Sequence, residues 1–271
     1  MTQLIALDLD GTLLNSRQEI DPYTIDTLRR YEARGYQFVF CSGRNLTELT
    51  NVRRLLPFFR YALLCNGAYI YDFQEKRFLY EATLPIREAY AIYQKLWGFR
   101  MIFELNYHSR ILTSREQLDR LRAFGISHLE NLITSTRECV DDLPSHLASS
   151  QEPVGKVNIF FPCQELRDKA REIIEPLPYT TCYQEPKNFE INRLGVHKGS
   201  SLGALAALLG LSSQEVMAMG DNVNDLPMFS YAGTAVAMGN AIPSAKEAAD
   251  FVTRSNDDNG VAYALETLLP A

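Results

Sequence analysis

Asp8 and Asp10 stand two positions apart at the end of the first apolar run, Leu4-Ile5-Ala6-Leu7-Asp8-Leu9-Asp10-Gly11-Thr12. Leu4 to Leu7 reads as a short buried strand, and Gly11 breaks it. Side chains alternate with period two in an extended segment, so the two carboxylates are expected to point the same way. Such a pair repels itself unless a cation or a shared proton relieves it. A hard divalent ion such as Mg2+ suits oxygen ligands of this kind. Open parallel sheets place their ligand crevices at the strand ends where these residues fall. Taken alone, the segment equally fits a solvated Asp-Gly turn. It also fits the Asp-x-Asp metal clamp of nucleotide-sugar glycosyltransferases.

A second carboxylate cluster, Gly220-Asp221-Asn222-Val223-Asn224-Asp225, follows the apolar run from Val216 to Met219. An EF-hand is excluded, because Val223, Leu226 and Ala232 occupy positions where that loop needs a ligand, a glycine and a bidentate Glu. Asp221 reads as a metal ligand. Asp225 fits two roles: a ligand, or the cap of the following helix with Pro227 in its first turn.

Two further polar signals lie between these clusters. The apolar strand from Tyr36 to Cys41 ends in Ser42-Gly43-Arg44, where a hydroxyl and a glycine N–H make a natural anion site; the plainer reading of Ser42 is a helix N-cap. Lys198 opens the apolar helix that contains Leu202 to Leu209, a position unfavourable for a cation in the helix dipole. A residue that breaks a local rule is a candidate for function, and a bound anion would offset the penalty.

In order and in strand-end placement, Asp8-Leu9-Asp10-Gly11-Thr12, Ser42-Gly43-Arg44, Lys198 and Gly220-Asp221-Asn222-Val223-Asn224-Asp225 resemble the four motifs of the haloacid dehalogenase superfamily. Asn66-Gly67-Ala68, after the apolar run from Tyr61 to Cys65, resembles the Cof-type subgroup. So does Asn256-Asp257-Asp258-Asn259-Gly260-Val261-Ala262. Members of that subgroup are small phosphatases with a large C2-type (IIB) cap inserted between the second and third motifs. His197 departs from the pattern, since a small polar residue commonly precedes the lysine, and its effect on the substrate rim is left open.

The resemblance, together with the chemistry of these groups, implies a mechanism. Asp8 would attack phosphorus and form an aspartyl phosphate. Asp10 would protonate the leaving alcohol and then activate water. Mg2+ would be held by Asp8, Asp221 and the Asp10 backbone carbonyl, with Asn222 and Asp225 as further ligands or supports. Ser42, the N–H groups of Gly43 and Leu9, Lys198 and Asn224 would hold the transferring oxygens. Thr12 would support the turn. Arg44, Asn66, Asn106 and His108 are candidate substrate contacts.

Composition is consistent with that reading. A net charge of −6 argues against a nucleic-acid platform. The five cysteines are scattered without a Cys-x-x-Cys, which predicts reduced thiols of a cytoplasmic protein. The chain enters its first strand without a basic and apolar leader, and no run reaches the ~18 apolar residues of a membrane span.

The expected architecture is an α/β protein with a Rossmann-like parallel-sheet core and an inserted α+β cap. The core is expected over residues 1–82 and 192–271, and the cap over 83–191. Asp21-Pro22 predicts a helix start. Tyr69 to Tyr71 and Arg77 to Glu81 predict a hairpin. In the cap, a helix near 87–97 precedes antiparallel strands around Asn106-Tyr107, then further helix and strand. Its aromatic residues, Tyr90, Tyr93, Trp97, Phe99 and Phe103, read as core.

The expected function is a Mg2+-dependent phosphatase of small phosphorylated metabolites such as sugar phosphates, pyridoxal phosphate or flavin mononucleotide, with no nucleic-acid or membrane partner. A phosphomutase or other phosphotransferase is the alternative; it would need basic cap residues such as Arg110, Arg115, Arg120 and Arg122 to hold a bisphosphate. A non-catalytic metal or phosphate binder is a third reading, which the full set of nucleophile, acid, lysine and ligands opposes.

Overall fold

The apolar runs that end at Asp8, Ser42, Asn66 and Asp221 form parallel strands of one sheet. The computed structural model describes residues 2–119, 121–124, 135–183 and 186–270; Arg120, His128 and the side chain of Arg122 fall outside the described residues. Two units are distinguished. One comprises the chain up to Gly43, Asn51–Tyr80 and everything from His197 on; the other comprises Arg44–Thr50 and Glu81–Val196.

In the first unit the strands, numbered in chain order, are β1 (Leu4–Leu7), β2 (Gln37–Cys41), β3 (Tyr61–Leu64), β4 (Tyr69–Asp72) and β5 (Arg77–Glu81). After the inserted unit follow β12 (Val216–Gly220), β13 (Thr234–Ala237) and β14 (Phe251–Val252). The sheet order is β14-β13-β12-β1-β2-β3-β4-β5. Pairing is parallel from β14 to β3 and antiparallel between β3 and β4. All four residues of β1 are buried, as a strand covered on both faces requires. Leu7 lies opposite Phe40 on one side and Met219 on the other. The next residues, Asp8, Cys41 and Gly220, therefore share a row at the C-terminal edge. The first helix, Pro22–Glu32, starts at Asp21, whose side chain accepts the Tyr23 N–H at 2.8 Å.

The inserted unit contains β6 (Ile102–Asn106), β7 (Ile111–Ser114), β8 (Arg137–Val140), β9 (Lys156–Phe160), β10 (Tyr179–Cys182) and β11 (Asn188–Arg193), in the order β10-β11-β9-β6-β7-β8. Pairing is antiparallel except between β7 and β8. Period two separates its faces. Phe103, Leu105, Val157, Ile159, Phe189 and Ile191 pack into one core with residues of the helices Ile86–Lys95, Leu143–Ser149 and Gln164–Ile174. The intervening positions carry Glu104, Asn106, Lys156, Asn158, Asn188, Glu190 and Asn192, all buried. Buried charge demands partners, and these are present. Arg137 donates to Glu104 at 2.8 Å, Asn158 donates to the same carboxylate at 2.9 Å, and Lys156 pairs with Glu190.

Three details differ from expectation. The unit boundaries fall after Tyr80 and Val196, where 82 and 191 were expected, and residues 44–50 join the inserted unit. That segment is fastened there: the Leu46 N–H donates to His108 O at 3.1 Å, the Thr47 hydroxyl to Ser109 O, and Arg137 to Glu48 at 2.6 Å. Trp97 is 69% exposed and so is not core, unlike Tyr93 and Phe103; it lies beyond the last turn of the helix Ile86–Lys95. Among the described residues, no helix is long and apolar enough to cross a membrane.

Candidate active site

β1 delivers Asp8 to the sheet edge, where its N–H donates to Met219 O at 3.0 Å. The chain then reverses tightly. Leu14 N–H returns to Leu9 O at 2.8 Å, and Gly11 takes a positive φ of 82°. Glycine is required at Gly11 twice over, because a Cβ there would meet Asp221 Oδ2 at 2.5 Å as well as strain the backbone. That approach lets the Thr12 hydroxyl donate to Asp221 Oδ1 at 3.2 Å, a contact beyond the turn-supporting role read from sequence.

Lys198 is the first residue of the helix Lys198–Leu208. His197 caps that helix: its Nδ1 accepts the Ser200 N–H at 3.0 Å, and Ser200 Oγ accepts the His197 N–H at 3.0 Å. The unusual histidine before the lysine is thus a helix cap. Lys198 is fully buried, and its Nζ lies 2.5 Å from Asp8 Oδ1 and 2.6 Å from Asp225 Oδ1. Two carboxylates therefore offset the unfavourable dipole position of the ammonium.

Asp225 takes a role that was not separated by sequence. Its Oδ2 accepts the N–H groups of Asp221 and Asn222 at 2.8 and 3.0 Å while Oδ1 holds Lys198. Its side chain caps the turn before it and makes no cap bond to the helix Leu226–Tyr231. Gly220 permits this, since a Cβ there would lie 2.4 Å from Asp225 Cγ. Asn222 Oδ1 accepts the Val223 N–H at 2.8 Å.

Asp8, Asp221 and Asp225 each offer an oxygen within 4.8 Å of the others. Asp10 is exposed and its carboxylate is not part of this cluster; the three acids come from the end of β1 and from the turn after β12. Burial pushes the Asp8 carboxyl well above its ordinary range; Lys198 opposes the shift, and Asp225 and Asp221 add to it. Burial, then Asp225, raises Asp221 to about 6. Burial works against the Lys198 charge, but Asp225 and Asp8 outweigh it and hold its pKa well above normal. With all groups ionised, three carboxylates face one ammonium, an excess of two negative charges. The cluster is all-oxygen, anionic and short of two positive charges, which fits one hard divalent cation.

The other predicted residues divide between the units. Ser42 is buried; its N–H donates to Leu63 O at 2.9 Å and its carbonyl accepts the Asn66 N–H at 3.1 Å. Cys65, Asn66 and Gly67 all have positive φ (51°, 57° and 103°). A Cβ at Gly67 would meet His197 O at 2.5 Å, so this left-handed turn is packed against the lysine helix cap. Ser42, Gly43, Asn66 and Asn224 belong to the unit of Asp8; Arg44, Asn106 and His108 belong to the inserted unit. Asn106 lies on the polar sheet face, and its Nδ2 has no hydrogen-bond partner among the described residues. His108 Nε2 lies 3.1 Å from Glu81.

The profile of the haloacid dehalogenase-like hydrolases matches residues 5–265. The chain is 32% identical to the phosphatase YwpJ of Bacillus subtilis, over 98% of this chain and all of that protein. It is 28% identical to the pyridoxal phosphate phosphatase YbhA of Escherichia coli, over 96% of each. Among solved structures, a haloacid dehalogenase-like hydrolase from Bacteroides thetaiotaomicron superposes with a TM-score of 0.85 at 30% identity, covering 99% of this chain and 100% of that one.

Proposed function

The chain belongs to the haloacid dehalogenase-like hydrolases, and on that premise we propose that it hydrolyses small phosphorylated metabolites in two steps through an aspartyl phosphate, with Mg2+ as its cation. In the first step an Asp8 oxygen bonds to phosphorus while the bond from phosphorus to the leaving oxygen breaks. Asp10 gives that oxygen its proton. In the second step Asp10 takes a proton from water, water oxygen bonds to phosphorus, and Asp8 is released as a carboxylate. Lys198 holds Asp8 in place and offsets charge on the transferring group. Ser42, the N–H groups of Gly43 and Leu9, and Asn224 hold the phosphoryl oxygens. A divalent cation held by Asp8, Asp221 and the Asp10 carbonyl would offset the repulsion between nucleophile and phosphate dianion.

The observation that carries this reading is the buried Lys198 shared by Asp8 and Asp225 beside Asp221. We assign choice of leaving group to the inserted unit, through residues such as Asn106 and His108, with Arg44 and Asn66 as further contacts. The relative that is a pyridoxal phosphate phosphatase supports metabolites as the substrate class. Of the basic residues that the mutase alternative would need, Arg110 is paired with Glu152 and Glu138, and Arg115 with Asp141. The free cysteines fit a cytoplasmic setting.

A screen of sugar phosphates, pyridoxal phosphate, flavin mononucleotide and phosphopeptides, read as phosphate release, tests the proposal. Metabolites should outrank every phosphopeptide, and activity should vanish with a chelator and return with Mg2+. A phosphopeptide at the head of the ranking would refute the substrate class, and full activity after exhaustive chelation would refute the cation.

A further inference from the structure

The Asn256–Asn259 stretch has no part in the mechanism above, yet its side chains reach the loop that carries Asp10. Asn240 Nδ2 donates to Gly11 O at 2.8 Å. Asn240 Oδ1 accepts the Asn256 N–H at 2.9 Å, and Asn256 Nδ2 donates to Leu14 O at 2.9 Å. Next to them Asp257 Oδ1 accepts the Ser16 N–H at 2.8 Å, and the Thr24 hydroxyl donates to Asn259 Oδ1 at 3.0 Å. Hydrogen bonds from this side thus meet the chain after the nucleophile at Gly11, Leu14, Ser16 and Thr24.

The orientation of the Asn240 amide is fixed by its partners. A backbone N–H can meet only the carbonyl end, which leaves the NH2 end for the Gly11 carbonyl. The support is itself anchored. Gly239 N–H donates to Arg254 O at 2.9 Å, and Gly260 N–H to Ser255 O at 3.0 Å. Asn259 takes a left-handed φ of 56°, and a Cβ at Gly260 would lie 2.1 Å from Arg254 O. The sharp turn in this stretch is what aims Asn256 at the loop.

The loop needs such support. Its own backbone bonds converge on Leu9 O, from Thr12 at 3.3 Å and Leu14 at 2.8 Å, and on Asp8 O, from Leu13 at 3.3 Å. The carbonyls of Gly11 and Leu14 are held from outside, by Asn240 and Asn256. Asp10 immediately precedes Gly11, forms a β-bridge with Leu14, and is exposed.

We propose that Asn240 and Asn256 are positioning residues for Asp10: a two-amide brace that fixes the Asp10–Leu14 loop so that the Asp10 carboxyl meets the leaving oxygen. The proposal rests on Asp10 being the general acid. The Asn240 amide makes two ordinary neutral hydrogen bonds and the Asn256 amide one, so losing either weakens folding only modestly. A displaced acid loses far more rate, because a shift of about 1 Å in a reacting group costs about 10²-fold.

The test compares 4-nitrophenyl phosphate with benzyl phosphate, which differ in leaving group more than in size. Nitrophenolate departs as a stable anion, whereas the benzyl alkoxide must be protonated as it leaves. For Asn240→Ala and Asn256→Ala, kcat/KM on the benzyl ester should fall by about 10²-fold, and on the nitrophenyl ester by less than about tenfold. The ratio of the two values within one preparation is independent of the fraction of folded enzyme. Asp10→Asn, run alongside, should show the same selective loss in stronger form. If Asp10→Asn discriminates and both brace variants slow the two esters equally, the brace is overturned and the Asp10 assignment stands. If Asp10→Asn itself does not discriminate, the assignment is wrong and the brace falls with it.

Discussion

Lys198 Nζ lies 2.5 Å from Asp8 Oδ1, and the lysine is wholly buried. The same ammonium reaches Asp225 Oδ1 at 2.6 Å, so one cation links the end of β1 to the turn after β12. Lys198→Met keeps the length of the side chain and removes its charge. Three carboxylates would then crowd together unrelieved. Removing one partner from a buried ion pair costs about 3–5 kcal/mol. Urea unfolding in the presence of a chelator should show a loss of that size, and kcat should fall by at least about 10²-fold.

A pH effect follows from Asp221. Its carboxyl is pushed up to about 6, chiefly by burial and then by Asp225. A carboxyl whose pKa is raised on folding binds its proton more tightly in the native state. Its contribution to stability is therefore present below its unfolded pKa and lost as pH rises through the folded value. Without a cation, wild-type protein should lose stability relative to Asp221→Asn between about pH 4 and pH 6. Mg2+ should reverse the difference at neutral pH. Melting temperatures of the two proteins, with chelator and with Mg2+, check both signs.

Gly11→Ala should impair cation binding. The new Cβ would lie 2.5 Å from Asp221 Oδ2, at a residue whose φ is 82°. Displacing Asp221 should raise the Mg2+ concentration needed for half-maximal activity, and the strained φ should lower the melting temperature. An unchanged Mg2+ requirement would show that Asp221 does not set it.

The inserted unit allows an independent test. Burial works against the Arg137 charge, but Glu104 and Glu48 outweigh it and keep the guanidinium firmly protonated. Arg137→Met would leave Glu104 and Glu48, both buried, without their cation, at a cost of about 3–5 kcal/mol. Urea unfolding followed by the fluorescence of Trp97, which lies in that unit, should show the loss.

The parts of the fold legible in sequence were those set by local pattern. Apolar runs closed by Gly and Asp gave β1 and β12, and Asp21-Pro22 gave the start of the first helix. The order of the motifs pointed to Asp8, Lys198 and Asp221, which the structure brings to one edge. What was not legible depends on contacts across the fold. Asp225 was divided between cap and ligand because its partner, Lys198, lies on another helix. Asp8 and Asp10 read from sequence as pointing the same way, whereas in the fold the Asp8 carboxylate clusters with Asp221 and Asp225, and Asp10 is exposed. Residues 44–50 join the inserted unit through Glu48 and Arg137, a pairing that neither local sequence signals.

The central claim is that Asp8 is the nucleophile, and one substitution addresses it directly. Asp8→Asn keeps the shape of the side chain but cannot form an acyl phosphate. Turnover of 4-nitrophenyl phosphate should be abolished while the circular dichroism spectrum is unchanged. Wild-type-like turnover in that folded variant would contradict the account.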